Sequence, residues 1–412
     1  MTIRCTKRRI RGMTLVELMI GLLVGMLLTL AAVEVLSTFE GRRRTLTSVN
    51  DIEQAGQVAL YKIDHWLRGG GAGLPQATRS VAVATGDQAN SFLYGCPLRV
   101  AKSNTKSKTQ LLPLTRSLDA PFDKVYDLTN GVVRLLPVLI LPGASTPGMS
   151  GQASDVLLMM TGLGETGASV AMSVGALPGD SSLPLRSTLD FAANDLVLVA
   201  DQQPADNGKL KPCMVEQVAN TFTSPGSSLT LDGEYYSATI GSTSLSGNFS
   251  SDSMAINLGN AGTRMPSFLL LGVGDNDVLY SYDLLQLPDS ARKAQADGVF
   301  ELHALYGVDN NGDGAVDAWV SPSSGSYSLE VLAAGDQTAA TNLARIKAVR
   351  VGLIMRTSLP EKDAVTTGPL VLFPDLPSDL KYTRALKGEE THYRYRTMEA
   401  IVPVRNNLLL QM

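Results

Sequence analysis

Three cysteines in 412 residues are too few for a disulfide framework, and three histidines, His65, His303 and His392, are too scattered to read as a catalytic set. No G-x-S-x-G, H-E-x-x-H or phosphate-binding loop is present; the one Gly-Lys pair, Gly208-Lys209, is followed by Leu210. These absences remove the common hydrolase, zinc-protease and nucleotidase readings and leave no enzyme to argue for. Positive charge is scarce outside the first twelve residues. Those twelve hold Arg4, Lys7, Arg8, Arg9 and Arg11 and no acid, which leaves thirty bases against thirty-nine acids in the rest. An acidic body argues against broad phosphate-backbone binding and so against nucleic acid as a partner, although a local basic patch is compatible with it. The segment "HYRYRT" (392–397) therefore reads as the polar face of a strand. Composition is otherwise that of a folded chain, 44% hydrophobic and 18% charged.

Charge is also missing from Leu18 to Val33, "LMIGLLVGMLLTLAAV". With its flanks the apolar stretch covers 13–36, about 36 Å as a helix at ~1.5 Å per residue, enough for a bilayer core of ~30 Å. The basic leader favours a cytoplasmic N-terminus and an exported body. A secretory signal has a shorter apolar core and a small-x-small cleavage site, and neither fits here. A plain anchor explains the length but gives no reason for Gly12 or for Glu17, a carboxylate at the start of the apolar run. Such a residue is costly in lipid unless it has a partner.

The stretch "RGMTLVELMIGLLVG" resembles the class III leader of type IV prepilins: a basic leader, Gly, a hydrophobic first mature residue, then Thr-Leu-Val-Glu-Leu. The resemblance implies cleavage between Gly12 and Met13 by a prepilin peptidase, N-methylation of Met13, and an assembly role for Glu17, whose carboxylate meets the N-terminal amine of a neighbouring subunit. Residues 1–12 are then a cleaved leader, 13–36 the transmembrane half of a long helix, and 37–68 its amphipathic half. Apolar residues at Leu46, Val49, Ile52, Ala55, Ala59, Ile63 and Trp66 recur in steps of three and four, one helix face. Gly69-Gly70-Gly71 is a stop, and Gly41 is a weak point along the way. His65 and Trp66 read as packing and surface residues.

Beyond Leu74 the text is rich in strand patterns. Candidate strands are 155–160, 195–200, 228–232, 267–273, 277–285, 298–308 and 348–356. In the last, Val349, Val351, Leu353 and Met355 alternate with Arg350, Gly352, Ile354 and Arg356, the period of a half-buried strand. Gly/Ser/Thr-rich stretches at 143–154, 222–230 and 241–253 read as loops. A boundary near 265 separates a loop-rich β region, 74–265, from a denser one, 266–412. In the latter, "NDVLYSYDL", "GVFELHALYGVDNNGDGAVDAW", "IKAVRVGLIMRT" and "YRYRTMEAIVPVRNNL" resemble the C-terminal part of PilW-type minor pilins. The expected fold class is α+β: a pilin-like N-terminal helix on a β-rich antiparallel head.

Cys96 and Cys213 in an exported domain allow one intramolecular disulfide, with two buried free thiols as the alternative. The loop "DNNGDGAVDAWV" sets Asp309, Asn311, Asp313, the Ala315 carbonyl and Asp317 at alternate positions around Gly314, an oxygen spacing suited to Ca²⁺. Val320 stands where a bidentate Glu closes an EF-hand, so any affinity is weak, with a Kd of ~10⁻⁴–10⁻³ M. The competing reading is a polar turn between strands. No cofactor is required by either.

The resemblance implies a minor pilin that primes assembly of a type IV pilus within a tip complex. Its partners are other minor pilins, the major pilin, the peptidase and the inner-membrane assembly machinery. It sits in the inner membrane with a periplasmic head before it reaches the pilus tip. Glu34 in place of the helix proline of many major pilins, and the large head, point away from a major subunit. A type II secretion minor pseudopilin, or a tip adhesin or DNA-uptake module, are the alternatives.

Overall fold

The computed structural model describes residues 14–74, 79–82, 88–91, 94–103, 107–145, 153–163, 169–171, 179–201, 204–249 and 253–408. The chain divides into two compact units, one ending at Asp51 and one running from Ile52 to Met412.

In the first unit the described residues form the beginning of one helix, Leu15–Gly69, which continues through Gly41 without a break. Leu15–Leu36 is 22 residues of mean hydropathy 2.3, all exposed, and by length and composition it can cross a membrane. An apolar helix with no protein around it has its preferred surroundings in lipid.

The second unit opens with the remainder of that helix. Ile52, Ala59, Ile63 and Leu67 are buried in the head core, with Ala55 and Trp66 packed at its margin. This is the stripe the spacing predicts, and His65 is exposed beside it. Leu46, its first member, is 66% exposed. Gly56 is a contact point: a Cβ there would collide with the sulfur of Met398. The helix ends at the glycine run. Gly71 takes φ +81° and donates its N–H to the Met160 carbonyl at 2.8 Å, a left-handed stop that glycine adopts without strain.

Three sheets of four or more strands make up the described head. The first runs, edge to edge, Lys108–Leu112, Leu98–Ser103, Cys213–Gln217, Asp195–Asp201, Ser253–Asn260 and Ser169–Ala171. Within it Cys213–Gln217 pairs with Leu98–Ser103 in parallel. The second is antiparallel and runs Arg292–Asp297, Val278–Asp283, Ser267–Gly274, Ser154–Thr161 and Val138–Ser145. It draws strands from both sides of residue 265. The third is antiparallel: Ala318–Val320, Val299–Val308, Ile346–Arg356 and Tyr395–Pro403.

The seven expected strands are all present within a few residues, at 154–161, 195–201, 228–230, 267–274, 278–283, 299–308 and 346–356. One expectation needs correction. The strand Ile346–Arg356 is not half-buried: all eleven residues are buried. Val349, Val351, Leu353 and Met355 face the main core. On its other face Ile354 packs with Phe300, Leu305, Leu372 and Phe373 under the small hairpin of Leu370–Leu372 and Tyr382–Arg384. The arginines that look like a solvent face are paired. Arg350 bonds Asp375 (Nη1–Oδ2 2.9 Å) and Glu399 (Nη2–Oε2 2.7 Å), and Arg356 bonds Asp277 (Nε–Oδ2 2.8 Å). A short helical turn, Leu245–Asn248, also forms where a loop was expected.

Candidate functional site

The leader, Gly12 and Met13 lie outside the described residues. The description begins at Thr14, and the first turn of the helix is closed by Thr14 and Glu17. Glu17 Oε2 accepts the Thr14 backbone N–H and the Thr14 hydroxyl, each at 3.0 Å, while the Glu17 N–H donates to Thr14 Oγ1 at 3.2 Å. This is a capping box, Thr-x-x-Glu, in which two residues satisfy each other's exposed donors. The sequence carries that signal in plain form, Thr14 followed three residues later by Glu17. One carboxylate oxygen accepts both donors of its own helix end.

In the head, Cys96 and Cys213 are joined as a disulfide, with Cα atoms 5.8 Å apart and 117 residues between them in sequence. The parallel pairing of Leu98–Ser103 with Cys213–Gln217 sets this up, because the two cysteines stand at the same end of neighbouring strands.

The loop after Val308 folds on its own hydrogen bonds. Asp309 accepts the N–H of Gly312 (2.6 Å) and of Gly314 (2.8 Å), and Asp317 accepts those of Asn310 (2.7 Å) and Asn311 (3.2 Å). Asp313 Oδ1 accepts the N–H of Ala315 at 2.7 Å. Gly312 and Gly314 have φ +84° and +85°, which the tight turn requires. Among the described residues no group of three or more His, Cys, Asp or Glu side chains is arranged to hold a metal ion.

A buried polar cluster surrounds His303. Its Nε2 lies 3.3 Å from Glu301 Oε2 and its Nδ1 3.7 Å from Asp155 Oδ2; its ring stacks on Tyr382 with centroids 3.6 Å apart. Glu301 also accepts Tyr382 Oη and Arg384 Nε, both at 2.7 Å. Asp155 accepts the N–H groups of Gly143 and Ala304 at 3.0 Å. Burial works against a charged imidazole, but the two carboxylates outweigh it and raise its pKa to about 9. A cationic ring with both nitrogens committed to carboxylates has no lone pair to take a proton. It is a bridge between Ser154–Thr161 and Val299–Val308, not a base. Nothing in the sequence marks it, because Asp155 and Tyr382 are remote from His303 along the chain. Of the other histidines, His392 sets Nδ1 2.9 Å from the Glu361 carbonyl.

A long apolar helix with a capped acidic first turn, followed by a β-rich head of antiparallel sheets, is a pilin-like α+β arrangement. Residues 7–33 match the prokaryotic N-terminal methylation motif, and residues 276–406 match the Type IV Pilus-assembly protein W family. Over residues 276–406 the chain is thus similar to the PilW family of type IV pilus assembly proteins, and at residues 7–33 it carries the N-terminal methylation motif. No curated protein and no solved structure matches it. Members of this family are generally structural rather than enzymatic, and a prepilin motif implies peptidase processing and the pilus machinery.

Proposed function

We propose that this chain is a minor pilin that primes assembly of a type IV pilus as part of a tip complex with other minor pilins. The observation that carries the reading is the joint occurrence of the methylation motif and the PilW match in one chain whose first turn is closed by Glu17. The peptidase cuts between Gly12 and Met13, and Met13 is N-methylated. Freed of the leader, the new amine stands one residue from the capping pair. In the filament the carboxylate of Glu17 meets the amine of an adjoining subunit, a pairing that makes a charge tolerable among apolar helices. Before assembly the helix rests in the inner membrane with the head in the periplasm. The head, at over 300 residues, suits a tip better than the close repeats of a shaft.

Deletion of the gene followed by complementation tests this. Loss of pili and of twitching with secretion intact supports it. Loss of secretion with pili intact supports the runner-up, a type II secretion minor pseudopilin. Binding of the full chain to DNA or to surfaces at stated salt, with pili unaffected by its loss, would favour a tip-binding module.

Calcium at Asp309, Asn311, Asp313, Ala315 and Asp317 is a second, separate proposal. Its support is the alternate spacing of oxygen donors on a turn whose backbone already orients three aspartates. Isothermal titration of the purified chain with CaCl₂ tests it, and no heat of binding up to several millimolar removes it.

A further inference from the structure

The strand Tyr395–Pro403 is the outer member of its sheet and pairs on one side only, with Ile346–Arg356. Which of its backbone groups face outward follows from the ladder. Arg356 donates its N–H to Gly298 and Thr357 donates its N–H to Arg394, so direction alternates along this chain. Val349, Val351, Leu353 and Met355 then bond Val402, Ala400, Met398 and Arg396, their register partners. The N–H and C=O groups of Thr397, Glu399 and Ile401 point away from the sheet. No described group bonds them.

An exposed edge of this kind is ordinarily blunted by a bulge, an inward charge, a mid-strand proline or a covering segment. This one is not. Its nine-residue register runs without a shift, whereas the pairing of Ile346–Arg356 with Val299–Val308 shifts twice. Pro403 stands at the very end. Thr397 is exposed and Ile401 is 56% exposed. Elsewhere the head does protect an outer strand: Lys62 donates to the Gln295 carbonyl at 2.7 Å on the strand Arg292–Asp297.

Charge indicates what fits. Glu399 is already engaged by Arg350 (2.7 Å) and by the N–H of Phe373 (2.7 Å). Arg396 has a side chain 57% exposed, with Glu53 3.8 Å away. The open edge is therefore basic at its start and apolar at Ile401. Self-pairing is disfavoured. An antiparallel copy centred on Glu399 opposes two carboxylates, and a parallel copy in register sets Arg396 beside Arg396; like charges directly opposite are destabilising.

We propose that the Thr397–Ile401 edge accepts an extended strand from the head of another pilin subunit, one that presents a carboxylate opposite Arg396 and apolar side chains towards Ile401. The inference rests on the minor-pilin reading and specifies a head-to-head contact that the reading does not contain. Backbone bonds supply the affinity and the flanking side chains the choice of partner.

The test uses the full chain, alone in detergent and in the detergent-extracted complex with the other pilins of its pilus. Amide exchange at Thr397, Glu399 and Ile401 is expected to slow at least tenfold in the complex, while Arg396, Met398, Ala400 and Val402 are protected in both. Equal exchange at the three outward amides in both samples overturns the proposal. Slowing on concentrating the chain alone identifies a second copy as the occupant and also overturns it. Thr397→Pro removes an outward N–H without touching the ladder. It is expected to reduce recovery of the complex at least tenfold with the thermal midpoint of the pure chain unchanged. Arg396→Glu, which leaves every backbone bond in place, is expected to reduce it too. Full recovery with both variants overturns the proposal. If the wild-type chain enters no complex with pilins at all, the minor-pilin reading fails and takes this contact with it; a complex without protection removes the contact alone.

Discussion

Glu17 and Thr14 close the first turn of the long helix on each other: one carboxylate oxygen accepts both the N–H and the hydroxyl of Thr14 at 3.0 Å. The carboxylate is thus held at the helix end, beside the position where leader cleavage would create an amine. Thr14→Ala removes the hydroxyl and is expected to weaken the cap by about 1 kcal/mol while the carboxylate remains. Glu17→Ala removes cap and charge together. Piliation assays are expected to show reduced pili for Thr14→Ala and none for Glu17→Ala, with both variants inserted and cleaved. Normal pili in Glu17→Ala would end the assembly role.

The Cys96–Cys213 bridge ties the segment leading into Leu98–Ser103 to the strand Cys213–Gln217 across 117 residues of sequence. Cys96→Ser with Cys213→Ser is expected to lower the head's stability by ~2–4 kcal/mol, the usual range for a native disulfide. Denaturant unfolding measures it, and free-thiol labelling of the wild type should find neither cysteine reactive.

His303 makes the head sensitive to alkali. Its folded pKa, raised to about 9, stands above the ordinary 6.5 of the free side chain. The stabilisation is complete below the unfolded value and is lost as pH rises through the folded one. Urea unfolding between pH 6 and 10 should show stability falling towards pH 9–10. In His303→Gln that fall should be smaller and the stability at pH 7 lower, by roughly 3 kcal/mol, because Asp155 and Glu301 lose the charge between them.

Glu216 acts in the same direction at lower pH. It is fully buried in the strand Cys213–Gln217; Oε2 accepts the Ser237 N–H at 2.8 Å and Oε1 has no partner among the described residues. Burial drives its pKa well above the carboxylate range, against the pull of the Ser237 bond. Its folded form binds a proton that the unfolded chain releases, so it costs stability as pH rises past 4.5. Glu216→Gln, which keeps the shape and removes the charge, is expected to raise stability at pH 7. A denaturant series from pH 4 to pH 7 should show the gain growing as pH rises.

Local signals in the sequence transferred well to the structure. The steps of three and four that end in Trp66 mark the buried side of the helix, and the Gly69–Gly71 run stops it. Strand positions were legible because β-branched runs were bounded by glycine and polar turns. What could not be read was the pairing of residues far apart. The alternation at 348–356 pointed to a solvent face, but Arg350 and Arg356 are buried beside Asp375, Glu399 and Asp277, which no spacing rule connects to them. The parallel contact of Leu98–Ser103 with Cys213–Gln217 was equally hidden, since more than a hundred residues separate the strands. At the N-terminus the converse holds. Thr14-x-x-Glu17 is a local capping signal, legible from spacing alone, and the structure forms it.

The account depends most on the processing of the first twelve residues. The measurement is the intact mass and N-terminal fragment mass of the protein purified from cells with and without the prepilin peptidase. With the peptidase, the chain is expected to begin at Met13 and carry one methyl group on its amine; without it, residues 1–12 should remain attached. A chain that keeps its first twelve residues in peptidase-positive cells would contradict both the cleavage at Gly12 and the pairing of Glu17 with a neighbouring subunit.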